Sequence, residues 1–196
     1  MKKVIPSESV LVPDNAKLAF EGMIFNVYQW DQTLFDNSTH TFEMLKRTDT
    51  VSVICIVDDK ILVLNDVQPH LGARECFPGG RVDDTDSSIQ AAAQREILEE
   101  TGYSFNNWRL IKVSQPYRKI EWFVYVWLAW DVFRQQEPQA DPGEKITMQQ
   151  LTFQEVKEKV QSNGDYLGES RDIFANLNSV HQLTDLPQFS GIEVDR

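Results

Sequence analysis

The stretch from Phe77 to Tyr103 constrains this chain more than any other. It opens on Phe77-Pro78-Gly79-Gly80, crosses a polar loop and enters an alanine-rich run that ends at Thr101-Gly102. Ser87-Ser88-Ile89-Gln90 has the Ser-x-x-Gln form of a capping box and predicts a helix starting at about Ser88. The triple alanine 91–93 favours helix, and Gly102 stands where a left-handed residue stops one.

Arg95, Glu96, Glu99 and Glu100 carry the chemistry of this helix. At 3.6 residues per turn Glu96 and Glu100 stack on one face, with Glu99 beside them. Arg95 and Glu99 are spaced for an i, i+4 ion pair. Three carboxylates gathered near the negative end of a helix dipole repel one another. A hard divalent cation such as Mg²⁺ or Mn²⁺ relieves that repulsion and takes carboxylate oxygens as ligands. The Pro78-Gly79-Gly80 turn brings bare backbone towards the same helix, so a carbonyl there can join the coordination. Taken alone, the carboxylates also describe an ordinary solvated helix face. The ordered string around them decides otherwise.

That string resembles the Nudix box, Gly-x5-Glu-x7-Arg-Glu-U-x-Glu-Glu-x-Gly-U, with U apolar. Gly80 matches its first glycine, and Arg95, Glu96, Ile97, Glu99, Glu100, Gly102 and Tyr103 match its second half in register. Two departures stand out. One extra residue lies between Gly80 and Arg95, and the glutamate expected between them is absent; Asp86 or Ser87 stands there, depending on where the insertion falls. In the family that glutamate orients the helix arginine, so Arg95 is expected to be held less rigidly here. The resemblance implies an α/β fold, a mixed β-sheet sandwiched between helices with the box loop and helix beneath one end. It also implies metal binding by Glu96, Glu100 and the Gly79 carbonyl, with Glu99 completing the cluster or serving catalysis by holding a metal-bound water, and Arg95 ordering the glutamates.

A chain of 196 residues suits one domain with an appended element. Its net charge of −11, with no offsetting basic stripe, argues against nucleic acid as a partner. An acidic protein that handles phosphate also needs cations at its site. No apolar run is long enough for a bilayer, which argues against a membrane partner, and Met1-Lys2-Lys3-Val4-Ile5-Pro6 lacks the apolar segment of a secretion signal, so a cytoplasmic location is expected. Cys55 and Cys76 fall in apolar, strand-like contexts and read as buried thiols.

Residues 1–48 read as an N-terminal arm and β-strand element, and residues 49–196 as the catalytic domain. The arm runs to about residue 17, with strands over 20–30 and 40–47. Central strands follow at 51–57 and 60–64, with further strands at 108–113 and 120–132. Trp122, Trp127 and Trp130 are read as core or interface residues. Residues 135–143 form a polar loop, followed by a strand through Ile146, Met148 and Gln150, a helix opening near Thr152, and a last helix over 167–183. The tail from Pro187 is expected to be loosely held.

Glu21-Gly22 in the first strand and Phe42-Glu43 with Arg47 in the second resemble the ADP-ribose pyrophosphatase branch of the family. In that branch the N-terminal strands contribute to a homodimer. By this resemblance Phe42 stacks on a nucleobase and Arg47 approaches the diphosphate or base; the alternative for Phe42 is a core strand position. Glu75 fits the branch pattern ahead of the Pro-x-Gly turn. His70 stands where an arginine is frequent, so Arg74 is a second candidate for phosphate charge. Glu121 takes the place of a glutamate near the substrate. On the 135–143 loop or just after it, Glu144 is the candidate general base, with Glu137 and Asp141 as alternates. The expected reaction is metal-dependent hydrolysis of a nucleoside diphosphate linked to a second group, ADP-ribose or a related nucleotide sugar first. Nucleoside triphosphates, dinucleoside polyphosphates, or a nucleotide-sensing module without chemistry remain the alternatives.

Overall fold

The computed structural model describes residues 1–69, 72–139, 145–162, 167 and 170–195. Its centre is β5 (Thr50–Val57), which pairs in parallel with β10 (Val124–Gln135). Around them lie β6 (Lys60–Gln68), β8 (Tyr103–Ser114) and β11 (Lys145–Leu151), in the order β11-β6-β5-β10-β8, with β7 (Gly72–Cys76) on β6. Alternation along the two central strands builds two cores. Val51, Val53, Cys55 and Val57 of β5 face the same side as Tyr125, Trp127 and Ala129 of β10. Helix α1 (Ile89–Thr101) covers that side with Ile89, Ala92, Ala93 and Ile97. Ile54, Val124, Val126 and Leu128 face the other side, covered by α2 (Phe153–Ser162), α3 (Arg171–Ala175) and α4 (His181–Thr184). The expected α/β layering of a mixed sheet between helices is therefore found.

Beside this sandwich stands a four-stranded sheet of β2 (Lys17–Phe20), β3 (Asn26–Thr33), β4 (Thr39–Lys46) and β9 (Ile120–Glu121). The run expected as one strand over 20–30 is instead the hairpin from β2 to β3. The chain turns at Gly22, where a Cβ would lie 2.5 Å from the Phe25 carbonyl oxygen. The long run expected over 120–132 is also split. Two residues, β9, pair with β4, and β10 restarts at Val124 because the buried Asp49 carboxylate takes the Phe123 N–H at 2.9 Å.

The termini depart most from expectation. The arm carries β1 (Lys2–Ile5), which pairs antiparallel with β12 (Ile192–Asp195) in the tail. Ile5 is fully buried, and the Phe189 N–H donates to the Leu110 carbonyl at 2.7 Å. The tail is thus tied down rather than loose. In place of one helix over 167–183, the described residues form two short ones, α3 and α4. Cys55 is buried and Cys76 partly so, and the two are not joined in a disulfide. Among the described residues no helix is long and apolar enough to cross a membrane.

Candidate active site

Helix α1 begins one residue later than the capping signal placed it, at Ile89, with Ser88 rather than Ser87 as its cap. The Ser88 hydroxyl accepts from the Ala91 N–H at 3.0 Å, and Gly102 closes the helix at φ 73°, its N–H on the Leu98 carbonyl. The glycine turn lies on the edge of β5: the Pro78 and Gly80 carbonyls accept from the Val53 and Val51 N–H groups. This alternation leaves the Gly79 carbonyl as the one of the three that β5 does not take up. The Gly79 N–H donates to Glu100 Oε2 at 2.7 Å, which fastens the turn to the helix. At Gly80 an added Cβ would sit 2.5 Å from the Glu96 carboxyl carbon, so only glycine lets Glu96 lie against the loop.

Arg95 organises this surface. Its Nη1 donates to Glu96 Oε1 at 3.0 Å and to Glu99 Oε2 at 3.1 Å, and its Nη2 donates to the Arg81 carbonyl at 2.9 Å. The other edge of the guanidinium meets Asp86, with Nε on Oδ1 at 3.1 Å and Nη2 on Oδ2 at 3.0 Å. The looser hold expected for Arg95 is therefore not found. Asp86 supplies a two-pronged partner, and its own carboxyl is held below the usual carboxylate range chiefly by the hydrogen bonds from Arg95. The guanidinium is correspondingly fixed in its charged form, by Asp86 first.

Glu96 is in the opposite condition. Burial pushes its carboxyl up to about 7, with Glu99 and Asp83 adding repulsion and Arg95 only partly offsetting it. A carboxylate kept from water beside two others is a group that a cation stabilises. Glu96, Glu99, Glu100 and the Gly79 carbonyl are all hard oxygen donors, and they fit Mg²⁺ or Mn²⁺ by chemistry. Among the described residues no three acidic, histidine or cysteine side chains converge as a closed cluster. Arg95 holds the Glu96 and Glu99 carboxylates, and the Gly79 N–H holds that of Glu100.

The raised carboxyl has a consequence for stability. Between about pH 4.5 and 7 the folded, metal-free protein keeps a proton on Glu96 that the unfolded chain has released. Stability from this group is therefore present at the acid end of that window and is lost as pH rises, by on the order of 3 kcal/mol. Urea unfolding of chelator-treated protein is expected to show this slope, and Glu96→Gln is expected to flatten it. An unchanged slope in the variant would assign the proton elsewhere. Cation affinity is expected to rise over the same window, since binding displaces that proton.

The remaining candidates are scattered by comparison. Phe42 is 41% exposed on β4, its ring 6.4 Å from Trp30. Arg47 lies between the rings of Trp122, at 4.7 Å, and Phe25, at 5.5 Å. Two residues further on, the Asp49 carbonyl accepts the Val82 N–H of the box loop at 2.9 Å, so Arg47 stands beside that loop. Arg74 is turned to the buried Asp66, Nη2 to Oδ2 at 2.6 Å, and Glu75 is paired with Lys159 of α2 at 2.7 Å. Glu121 is buried with both oxygens engaged, one by Lys46 Nζ and one by the Val12 N–H, each at 2.6 Å. His70, Asp141 and Glu144 lie outside the described residues. Glu137 is exposed and bracketed by two contacts to the end of α1. The Gln136 N–H donates to the Gly102 carbonyl at 2.9 Å and the Gln139 N–H to the Glu99 carbonyl at 2.7 Å. The start of the acidic loop is thus fastened to the last turn of α1.

Sequence reasoning placed Trp122 with the core tryptophans, and it does pack against the second core; what it missed is that Trp122 also flanks Arg47 while donating to Thr50 Oγ1 at 2.9 Å. It also missed Asp49, which joins the box loop to β9 and β10; a lone aspartate between two strands carries no signal of this in the sequence.

The NUDIX domain family model matches residues 46–168. The fold is shared with a solved protein described as an ADP compounds hydrolase: the TM-score is 0.68 at 18% identity, over 93% of this chain and 100% of the other. No curated protein sequence matches.

Proposed function

The chain belongs to the Nudix hydrolase family, and we propose that it cuts the pyrophosphate bond of a nucleoside diphosphate joined to a second group, ADP-ribose or a related nucleotide sugar by preference. The observation that carries this is the Arg95 clamp, which gathers Glu96 and Glu99 beside a glycine turn already bonded to Glu100. The fold shared with an ADP compounds hydrolase supports the choice of substrate class.

In this reading Glu96, Glu99, Glu100 and the Gly79 carbonyl hold Mg²⁺ or Mn²⁺. The cation supplies the positive charge that a diphosphate and its attacking water require. Glu144 takes the proton from that water, with Glu137 and Asp141 as the alternate acids of the same loop. The water oxygen bonds to one phosphorus, the bridging P–O bond breaks, and two monophosphates leave. Phe42 is exposed enough to stack on a base, and Arg47 is the cation proposed to meet the diphosphate; His70 would add charge only when protonated, and Arg74 only by leaving its ion pair with Asp66. Glu121 serves the substrate side through Lys46 and the Val12 N–H rather than by direct contact.

Residues 1–48 then add the dimerisation and substrate contacts to the catalytic domain 49–196. Phe20, Met23, Ile24 and Phe35 are exposed around β2 to β4, and a second copy of the chain is their proposed cover. Sedimentation is expected to give a homodimer, and Met23→Glu with Ile24→Glu to give monomers.

The deciding assay uses chelator-stripped protein, resupplied with Mg²⁺ or Mn²⁺ and offered ADP-ribose, other nucleotide sugars, dinucleoside polyphosphates and nucleoside triphosphates. AMP and ribose 5-phosphate from ADP-ribose, formed only with metal, are expected. Failure on every nucleotide of this panel would end the hydrolase reading, and a preference for triphosphates would move the substrate.

A further inference from the structure

The box loop departs from the family spacing in two ways, and the geometry joins them. Counting from Gly80, five residues separate it from Asp86, as the family pattern has it; the extra residue therefore falls between Asp86 and Arg95. Asp86 meets Arg95 through both carboxylate oxygens at 3.0 and 3.1 Å, and its side chain is only 6% exposed. Oδ2 also accepts the Asp83 N–H at 2.8 Å, while the Asp86 N–H donates to the Asp83 carbonyl at 3.0 Å. A carboxyl so close to its own backbone closes the 83–86 turn and reaches the guanidinium at once. A glutamate, one methylene longer, cannot keep both contacts from the same Cα position.

We propose that Asp86 and the residue inserted after it form one compensated positioning unit: the longer loop lets the shorter carboxylate grip Arg95, which in turn aligns Glu96 and Glu99. Asp86 is a positioning residue; it touches neither substrate nor the reacting atoms. The proposal rests on the hydrolase reading for its catalytic consequence and on geometry alone for the grip.

The test is a cycle of three proteins: Asp86→Glu, deletion of Ser87, and the two combined, which restores the family spacing. Three readouts are taken: kcat and KM on ADP-ribose with Mg²⁺, Mn²⁺ affinity by water-proton relaxation, and the ¹⁵N signal of Arg95 Nε–H, which donates to Asp86. Each single change is expected to lower kcat and Mn²⁺ affinity about 10-fold or more. KM should move less than about 3-fold, and the Nε–H signal should lose its protection. The combined variant is expected to recover both quantities to within about 3-fold of the parent, a coupling that independent sites do not give. Singles that behave as the parent overturn the proposal, as does a combined variant whose loss is the product of the two. Asp86→Asn, equal in size, asks the same question without touching loop length; parental kcat and Mn²⁺ affinity there overturn the proposal even where a deletion fails to fold. Should the parent protein hydrolyse no nucleotide, the hydrolase reading falls. The Mn²⁺ and Nε–H readouts then still decide whether Asp86 grips Arg95 to order the helix carboxylates.

Discussion

Glu100→Gln is expected to lower turnover about 10³-fold while leaving the melting temperature within a few degrees of the parent. The two effects separate because Glu100 has two tasks. Its Oε2 accepts the Gly79 N–H at 2.7 Å, and an amide oxygen can keep that bond, so the glycine turn stays on the helix. What the amide cannot keep is the negative charge, and a hard cation loses one of its best donors. About 10³-fold corresponds to roughly 4 kcal/mol of transition-state stabilisation, in the range expected when a charged group at a reacting phosphate is removed. Steady-state rates on the preferred diphosphate over a Mg²⁺ titration, with melting curves alongside, check it. Parental turnover at ordinary Mg²⁺ would move the metal site off this face of α1, and a collapse in melting temperature would make Glu100 a structural residue instead.

The helix behind this prediction is legible in the sequence alone. Ser88, the alanines and Gly102 are local signals, each read within a few residues, and they fixed α1 and the shared face of Glu96, Glu99 and Glu100. An apolar run likewise marked β5, whose odd and even residues feed separate cores in the fold. What the sequence hid was set by distance along the chain. The pairing of β1 with β12 joins segments at opposite ends, each four residues long and too short for a periodic signal. Arg74 reads as a free cation until Asp66 is found beside it across a strand pair, and Glu121 reads as a ligand contact until Lys46 and the Val12 N–H take its oxygens. Asp86 is an intermediate case. Spacing narrowed the choice to Asp86 or Ser87, and only the direction of the Arg95 side chain could choose between them.

Adjacent glycines in the turn make the second large prediction, because substitution at each strikes a different kind of neighbour. Gly79 has φ 146°, and a Cβ there would lie 2.1 Å from the Val51 carbonyl oxygen and 2.9 Å from Ser52 Cα. Both are backbone atoms of the central strand and cannot yield, so Gly79→Ala is expected to cost about 3 kcal/mol or more and to lower the melting temperature by roughly 10 °C. At Gly80 the obstacle is the Glu96 carboxyl group, 2.5 Å away at the end of a flexible side chain. That group can swing aside, so Gly80→Ala is expected to cost no more than about 1 kcal/mol. The displaced Glu96 then stands off the loop, and turnover is expected to fall about 10²-fold, since a misplacement of roughly an ångström suffices for that. One methyl group thus reports on fold at position 79 and on alignment at position 80. Melting curves and turnover measured on both variants separate these effects. A Gly79→Ala protein that melts with the parent would mean the turn does not lie against β5. Parental turnover in Gly80→Ala would mean that chemistry does not need Glu96 held against the glycine loop, and the clamp centred on Arg95 would lose its purpose.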